Sequence, residues 1–274
     1  MSVTSTVKSV SVKSMRAKSK VRKREFARTH SVMALAVAGL AAGIYFSAAQ
    51  AESTPDYKAM LAAPDRSAAD LAADKRRDPL PFLQFAHPLP GMKVLDMGAG
   101  AGYSTELMAR AVAPNGIVYG QNPPDAGDKL KAAFEARLKT PGMKDAVADY
   151  RPFDDPIPPG VHDLDMITFL FFYHDTTYMK VDRARMDRAM FAGLKPGGTL
   201  VVADHSALPG QGTSVGHTLH RIEEATLRQE VEAAGFKQIA EGNFWRNPAD
   251  THDFPSYRRD KPVDNFVLKF QKPM

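Results

Sequence analysis

The chain has 274 residues, 44% of them hydrophobic and 24% charged, and no cysteine. These values exclude wholesale disorder, and the missing cysteine excludes disulfides, thiolate metal sites and a cysteine nucleophile. A formal charge of +5 and a pI near 9.3 point to a nucleic-acid or membrane-surface partner only if the bases are spread over the folded part.

They are not. Nine bases (Lys8, Lys13, Arg16, Lys18, Lys20, Arg22, Lys23, Arg24 and Arg28) lie in residues 1–51, against one acid, Glu25. An apolar run over residues 32–46 follows, and Ala49 and Ala51 then stand at A-x-A spacing. Basic n-region, apolar h-region and small-residue cleavage site are the three parts of a secretory signal. The run is shorter than the ~20 apolar residues of a membrane span. Cleavage after Ala51 and export to a periplasm are therefore expected, with an uncleaved membrane anchor as the alternative. Lys23-Arg24 loosely resembles a twin-arginine export signal. Without this segment 27 bases face 30 acids, a formal charge of −3. The basic pI thus speaks of delivery, and membrane contact is expected only through the signal. No nucleic-acid partner is expected, since no arginines interleave with aromatics.

Residues 52–90 read as a helical prefix. The stretch 52–78 is rich in alanine and charge and breaks at Asp65-Arg66-Ser67, where Ser67 can cap a second helix. Pro79, Pro81, Pro88 and Pro90 mark an irregular entry. From residue 91 strand and helix signals alternate. A strand over 93–97 precedes a helix over 105–112, a strand over 116–120, a helix over 125–138 and a weak strand over 148–151. A continuous apolar strand over 166–173 suits burial on both faces. A helix over 181–194, a Lys195-Pro196-Gly197-Gly198 turn and a strand over 199–203 come next. The helix over 222–234 carries Glu223 and Glu224 in its first turn, where the dipole favours acids, and Gly235 follows its end. Strands over 236–241 and 263–271 close the chain. This alternation predicts an α/β, Rossmann-like, doubly wound and mostly parallel sheet, in one domain over residues 91–274.

The segment Asp96-Met97-Gly98-Ala99-Gly100-Ala101-Gly102-Tyr103-Ser104-Thr105 sits where the first strand turns into the first helix. Glycines there let backbone approach a ligand, and free amides at a helix start meet polar groups. A dinucleotide loop wants G-x-G-x-x-G or A. Counted from Gly98 the last position is Tyr103, and from Gly100 it is Thr105, so an NAD(P)-dependent oxidoreductase is disfavoured. The pattern D-x-G-x-G-x-G instead resembles motif I of the class I S-adenosylmethionine-dependent methyltransferases. Lys195-Pro196-Gly197-Gly198-Thr199-Leu200 resembles a second landmark of that family. The resemblance implies a seven-stranded sheet of order 3-2-1-4-5-7-6 with strand seven antiparallel, and S-adenosyl-L-methionine as cofactor. It implies that Asp96 meets the methionine amino group, and that Gly98, Gly100 and Gly102, with Tyr103 and Thr105, line the cofactor. Four further stretches are similar to a family of predicted exported methyltransferases: residues 91–94, 121–124, 217–222 and 264–270. One position departs from the pattern. The second strand of the family ends in an acid that takes the ribose hydroxyls, whereas here Gln121 and Asn122 are the candidates, without the strength of a charged partner. Asp154 or Asp155, past the third strand, is the candidate for the adenine amino group.

Methyl transfer is an in-line displacement at a sulfonium-bound carbon, so the enzyme must align a nucleophile and can remove a proton from it. In this fold such groups lie at the carboxyl ends of strands four and five, here Tyr173-His174-Asp175 and Asp204-His205. His174 or His205 is the expected general base, with Asp175 or Asp204 orienting it; a structural, hydrogen-bonded histidine is the plain alternative. Tyr173, Tyr178, His220 and Arg221 are the expected substrate contacts, Arg221 suiting an anionic acceptor. His217 and His220 lie three apart and with Asp204 and His205 form a set of metal-ligating types, but Arg221 opposes a dense cation site, and no metal is assigned. Residues 244–253 belong to a long insertion between the last two strands, able to cover the site. The sequence thus reads as an exported methyltransferase with a small-molecule acceptor. The alternative is a methyltransferase-fold binding protein that has lost catalysis and holds another ligand.

Overall fold

Side-chain caps set the start of the first two prefix helices and a proline that of the third. In the computed structural model, which describes residues 54–258 and 260–274, helix α1 (Tyr57–Leu61) begins at Asp56, whose carboxylate accepts from Ala59 N. Helix α2 (Ala68–Arg77) begins at Ser67, whose Oγ accepts from Asp70 N. The proline-rich entry is not irregular, as the prolines suggested. Pro79 opens a third helix, α3 (Pro79–Ala86), at the position where a missing N–H has no partner to lose. Tyr57, Phe82, Leu83 and Ala86 are buried in one cluster with Val94, Leu107 and Met108. The prefix therefore completes the main core instead of standing beside it. The signal and cleavage site expected in residues 1–51 lie outside the described residues. Among the described residues no helix is long and apolar enough to cross a membrane.

Seven strands, β1 (Lys93–Met97), β2 (Ile117–Asn122), β3 (Ala146–Tyr150), β4 (Leu164–Leu170), β5 (Leu194–His205), β6 (Lys237–Gly242) and β7 (Asn265–Gln271), form one sheet in the order β3-β2-β1-β4-β5-β7-β6. Only β7 runs antiparallel to its neighbours, so the expected order and single reversal both hold. Alternate residues feed opposite faces. Leu95, Phe169, Leu200 and Phe270 enter one core, and Val94, Met166, Val201 and Val267 enter the other. Helices α4 (Tyr103–Val112), α5 (Asp128–Leu138), α6 (Arg183–Gly193), α7 (Gly216–Leu219) and α8 (Glu224–Ala233) complete the layers. Strand order reverses at β1, which pairs with β2 on one side and β4 on the other. Such a switch point opens a crevice at the carboxyl ends of the strands, beside the β1–α4 loop.

Two local expectations are corrected. β4 ends at Leu170, three residues before the apolar run does. Phe171 takes φ +58°, rare for a bulky residue, and Tyr173–Thr177 winds into a 3-10 turn. The run stays apolar because Phe172 and Tyr173 pack into the core, not because the backbone stays extended. The Lys195–Gly198 turn is absorbed into β5, where Gly197 at φ +76° donates its N–H to Lys272 O.

Candidate functional site

The loop from β1 into α4 is built on three left-handed glycines, Gly98, Gly100 and Gly102, at φ +66°, +57° and +86°. Their reasons differ. A Cβ on Gly102 would lie 2.8 Å from Phe134 of α5, while one on Gly100 would meet nothing nearer than Gly98 O at 4.0 Å. Gly102 is demanded by packing, and Gly100 faces open space. Asp96 lies beneath the loop, fully buried, and accepts from Ser104 Oγ at 2.8 Å and from Thr105 Oγ1 and Thr168 Oγ1 at 2.7 Å. Burial pushes its pKa up, against those three donors. Asp96 and Thr105 therefore brace the loop from below through their mutual hydrogen bond.

The amides that replace the ribose acid have a visible use. Gln121 Oε1 accepts from Gly98 N at 3.1 Å, and its Nε2 donates to Arg151 O at 2.6 Å. Asn122 Oδ1 accepts from Gly100 N at 2.8 Å, and its Nδ2 donates to Gly100 O at 3.0 Å. Only an amide both accepts and donates in this way; a carboxylate lacks the donor. Both side chains are buried, and their oxygens are turned to the loop. Asp154 lies 3.9 Å from Arg185, and Asp155 pairs with Arg151.

A cavity of about 290 Å³ runs along the loop, lined by Gly98, Ala99, Gly100, Tyr103, Phe172 and Trp245. A second, of about 540 Å³, shares Arg77, Phe171 and Trp245 with it and carries His205, Asn265 and the cations Arg76, Arg258 and Lys261. The two cavities share one wall, formed by Arg77, Phe171 and Trp245, with the glycine loop on the first and His205 and the three cations on the second. Their sizes are those of small-molecule sites.

The histidines expected to converge do so, with ring centroids of His174 and His205 5.6 Å apart, but their environments differ. His205 Nδ1 is 2.5 Å from Asn265 Oδ1, and Phe171 stacks on its ring at 4.9 Å. Burial lowers its pKa. It is a neutral imidazole with Nδ1 protonated, which leaves Nε2 as the basic atom. His174 is buried against two acids, with Nδ1 2.6 Å from Asp204 Oδ1 and Nε2 3.1 Å from Asp175 Oδ1. Burial opposes its charge, but the flanking carboxylates outweigh it and push the pKa up to about 10. Asp204, fully buried, also accepts from the backbone N–H of His174 and of His205. It orients both strand ends and lines neither of the two cavities described above. His220 Nδ1 completes a cluster at 3.3 Å from His174 Nε2 and 3.1 Å from Asp175 Oδ1.

Two expected substrate contacts lie in the interior. Tyr173 is fully buried, and its hydroxyl lies 2.9 Å from both Asp187 Oδ2 and Glu230 Oε2. Arg221 is equally buried. It donates to Asp250 through two nitrogens and to the carbonyls of Ser206 and Phe254. Tyr178 is exposed and hydrogen-bonds Asp175 beside His217. Sequence reasoning missed Phe171, Trp245, Arg77 and Asn265. Asn265 was within reach, since it begins β7 opposite the end of β5, but the register comes only from the fold. Trp245 fell in the insertion expected to cover the site, and it does so, stacked on Phe82 at 5.5 Å.

Residues 80–146, from α3 to the start of β3, match the protein-L-isoaspartate(D-aspartate) O-methyltransferase (PCMT) family. A protein-L-isoaspartate O-methyltransferase of Aeropyrum pernix is 57% identical over 38 residues, 14% of this chain and 15% of that protein. The ubiquinone/menaquinone biosynthesis C-methyltransferase UbiE of Shewanella frigidimarina is 29% identical over 185 residues, 57% of this chain and 71% of that protein. The crystal structure of a SAM dependent methyltransferase from Aquifex aeolicus superposes with a TM-score of 0.52 at 17% identity, covering 71% of this chain and 89% of that one. The chain has the fold of the class I S-adenosylmethionine-dependent methyltransferases.

Proposed function

We propose that this chain is an exported methyltransferase that moves a methyl group from S-adenosylmethionine to a small acceptor bearing an anionic group. The observation that carries the reading is the adjacency of two cavities, one along Gly98–Ala101 and one at His205, that share Arg77, Phe171 and Trp245. Gly100 presents backbone and open space where a cofactor would lie, and the Gly98–Ala101 loop runs along that cavity. The similarity of this region to methyltransferase families supports the cofactor. Arg76, Arg258 and Lys261 in the second cavity would hold the acceptor's charge and turn its nucleophile toward the methyl carbon. His205 Nε2 takes the proton from that nucleophile. The basic n-region, apolar run and A-x-A site support export, and −3 for the remainder fits a protein that is not held by nucleic acid.

Isothermal titration of the protein with S-adenosylmethionine tests the reading. Saturable one-to-one binding is expected; a folded chain that shows none at millimolar cofactor overturns it.

A second reading has its own support. Both amides at the end of β2 are engaged by the loop, so no acid stands ready for a ribose. On that reading the fold is a binding protein without catalysis, and native mass spectrometry of purified chain would show a different ligand.

A further inference from the structure

We propose that the protein binds a divalent first-row transition-metal ion, zinc-like in its coordination, through His174 Nε2, Asp175 Oδ1 and His220 Nδ1. The site stands on its own geometry and does not depend on methyl transfer. The three atoms form a nearly equilateral triangle with edges of 3.1, 3.1 and 3.3 Å. Ligands about 2.0–2.2 Å from a metal lie roughly 3.3–3.5 Å apart in a tetrahedron and about 2.9–3.1 Å apart in an octahedron. The triangle is thus the right size for one face of either polyhedron. Two imidazoles and one carboxylate, with the remaining positions open, are a donor set suited to such an ion.

The surroundings fit as well. Asp204 Oδ1 holds His174 Nδ1 at 2.6 Å, which places the proton on Nδ1 and turns the Nε2 lone pair into the triangle. Metal-bound histidines are commonly oriented by a carboxylate in this manner. His220 reaches the cluster from the end of α7, where its backbone sits at φ +50°, and its ring stands edge-on to Tyr178 and Tyr257. Tyr257, which His220 meets edge-on, lines the basic cavity together with His205, so the triangle lies behind residues of that wall. The competing occupant is a proton on His174. A proton lies along one line between two atoms, whereas three atoms at near-equal spacing surround a point.

Sequence spacing assigned no metal, because His174 and His220 are 46 residues apart and only the 3-10 turn and α7, packed together, unite them. Full-length protein stripped with a chelator and titrated with Zn²⁺, then with Co²⁺, tests the site, with bound metal measured per chain after gel filtration. One equivalent is expected in the wild type, with cobalt absorption characteristic of low coordination. Asp175→Asn and His220→Gln should each lose that equivalent while remaining folded by circular dichroism, and His217→Gln, one turn away and outside the triangle, should retain it. No saturable equivalent in folded wild type overturns the proposal and leaves the proton as occupant. An equivalent that survives both Asp175→Asn and His220→Gln, or is removed equally by His217→Gln, overturns it too. Binding of S-adenosylmethionine is read separately, so failure of one result does not decide the other.

Discussion

His205 stands opposite Asn265 across the β5–β7 ladder, with its Nδ1 2.5 Å from the Asn265 amide oxygen. That oxygen accepts only, so it selects the Nδ1–H tautomer and leaves Nε2 basic. Imidazole nitrogen NMR shifts at neutral pH should show this tautomer in the wild type and a mixture in Asn265→Leu. An unchanged tautomer would remove Asn265 from the role. His205→Gln should slow methyl transfer by roughly 10²–10⁴-fold, the usual worth of a general base, with cofactor affinity retained.

Gly100 and Gly102 separate a ligand-facing glycine from a packing glycine. Gly100→Ala should cost about 1–2 kcal/mol for the left-handed backbone and sharply weaken cofactor binding, because its methyl enters the cavity. Gly102→Ala brings the same strain and a Cβ 2.8 Å from Phe134 and 2.9 Å from Arg137. It should add about 1–3 kcal/mol of overpacking. Urea unfolding and calorimetric titration of both variants check this. Wild-type affinity in Gly100→Ala would move the ligand elsewhere.

Trp245 is the one tryptophan of the chain, and it lines both cavities. Its fluorescence should therefore change in proportion to occupancy as S-adenosylmethionine is added. A flat signal during calorimetrically detected binding would place the cofactor outside both cavities.

Arg221 and Asp250 form a fully buried ion pair. Removing one partner strands the other charge, so Asp250→Ala should cost about 3–5 kcal/mol. The assay is thermal or urea unfolding. A loss under about 1 kcal/mol would show the pair to be hydrated and return Arg221 to the list of ligand contacts.

Asp187 supplies a pH dependence. Burial, opposed by the Tyr173 hydroxyl and reinforced by Glu230, raises its pKa from 3.8 to about 7. The folded state then holds a proton that the unfolded chain releases near pH 4. This contribution to stability is full below about pH 4 and is lost as pH rises through about 7. Asp187→Asn keeps the uncharged form at all pH values. It should be more stable than wild type at pH 8 by about 1–3 kcal/mol, and near parity at pH 4. A constant difference between the two across that range would contradict the raised pKa. Asp149, raised to about 6 chiefly by burial, acts in the same direction in both proteins and cancels from the comparison.

The sequence by itself determined the local and periodic features. The Ser67 cap, the alternation of strand and helix, and the D-x-G-x-G-x-G loop all follow from neighbours a few residues apart, whose chemistry acts before any tertiary contact forms. Through family resemblance the strand order was legible as well. The division of labour inside the site was not. Tyr173 and Arg221 have the chemistry of substrate contacts, and only burial beside Asp187, Glu230 and Asp250 turns them into core residues. Gln121 and Asn122 read as weak ribose ligands until the fold brings the loop to both amide oxygens and gives their nitrogens the carbonyls of Arg151 and Gly100. His205 and His174 look alike in sequence, each beside an acid. The β5–β7 register gives one an amide partner, and the turn after β4 carries the other, with Asp175, to Asp204 at the end of β5 and His220 at the end of α7. Protonation, access and coordination depend on what surrounds a side chain through space, and partners 46 and 60 residues away enter that environment only once the sheet is assembled.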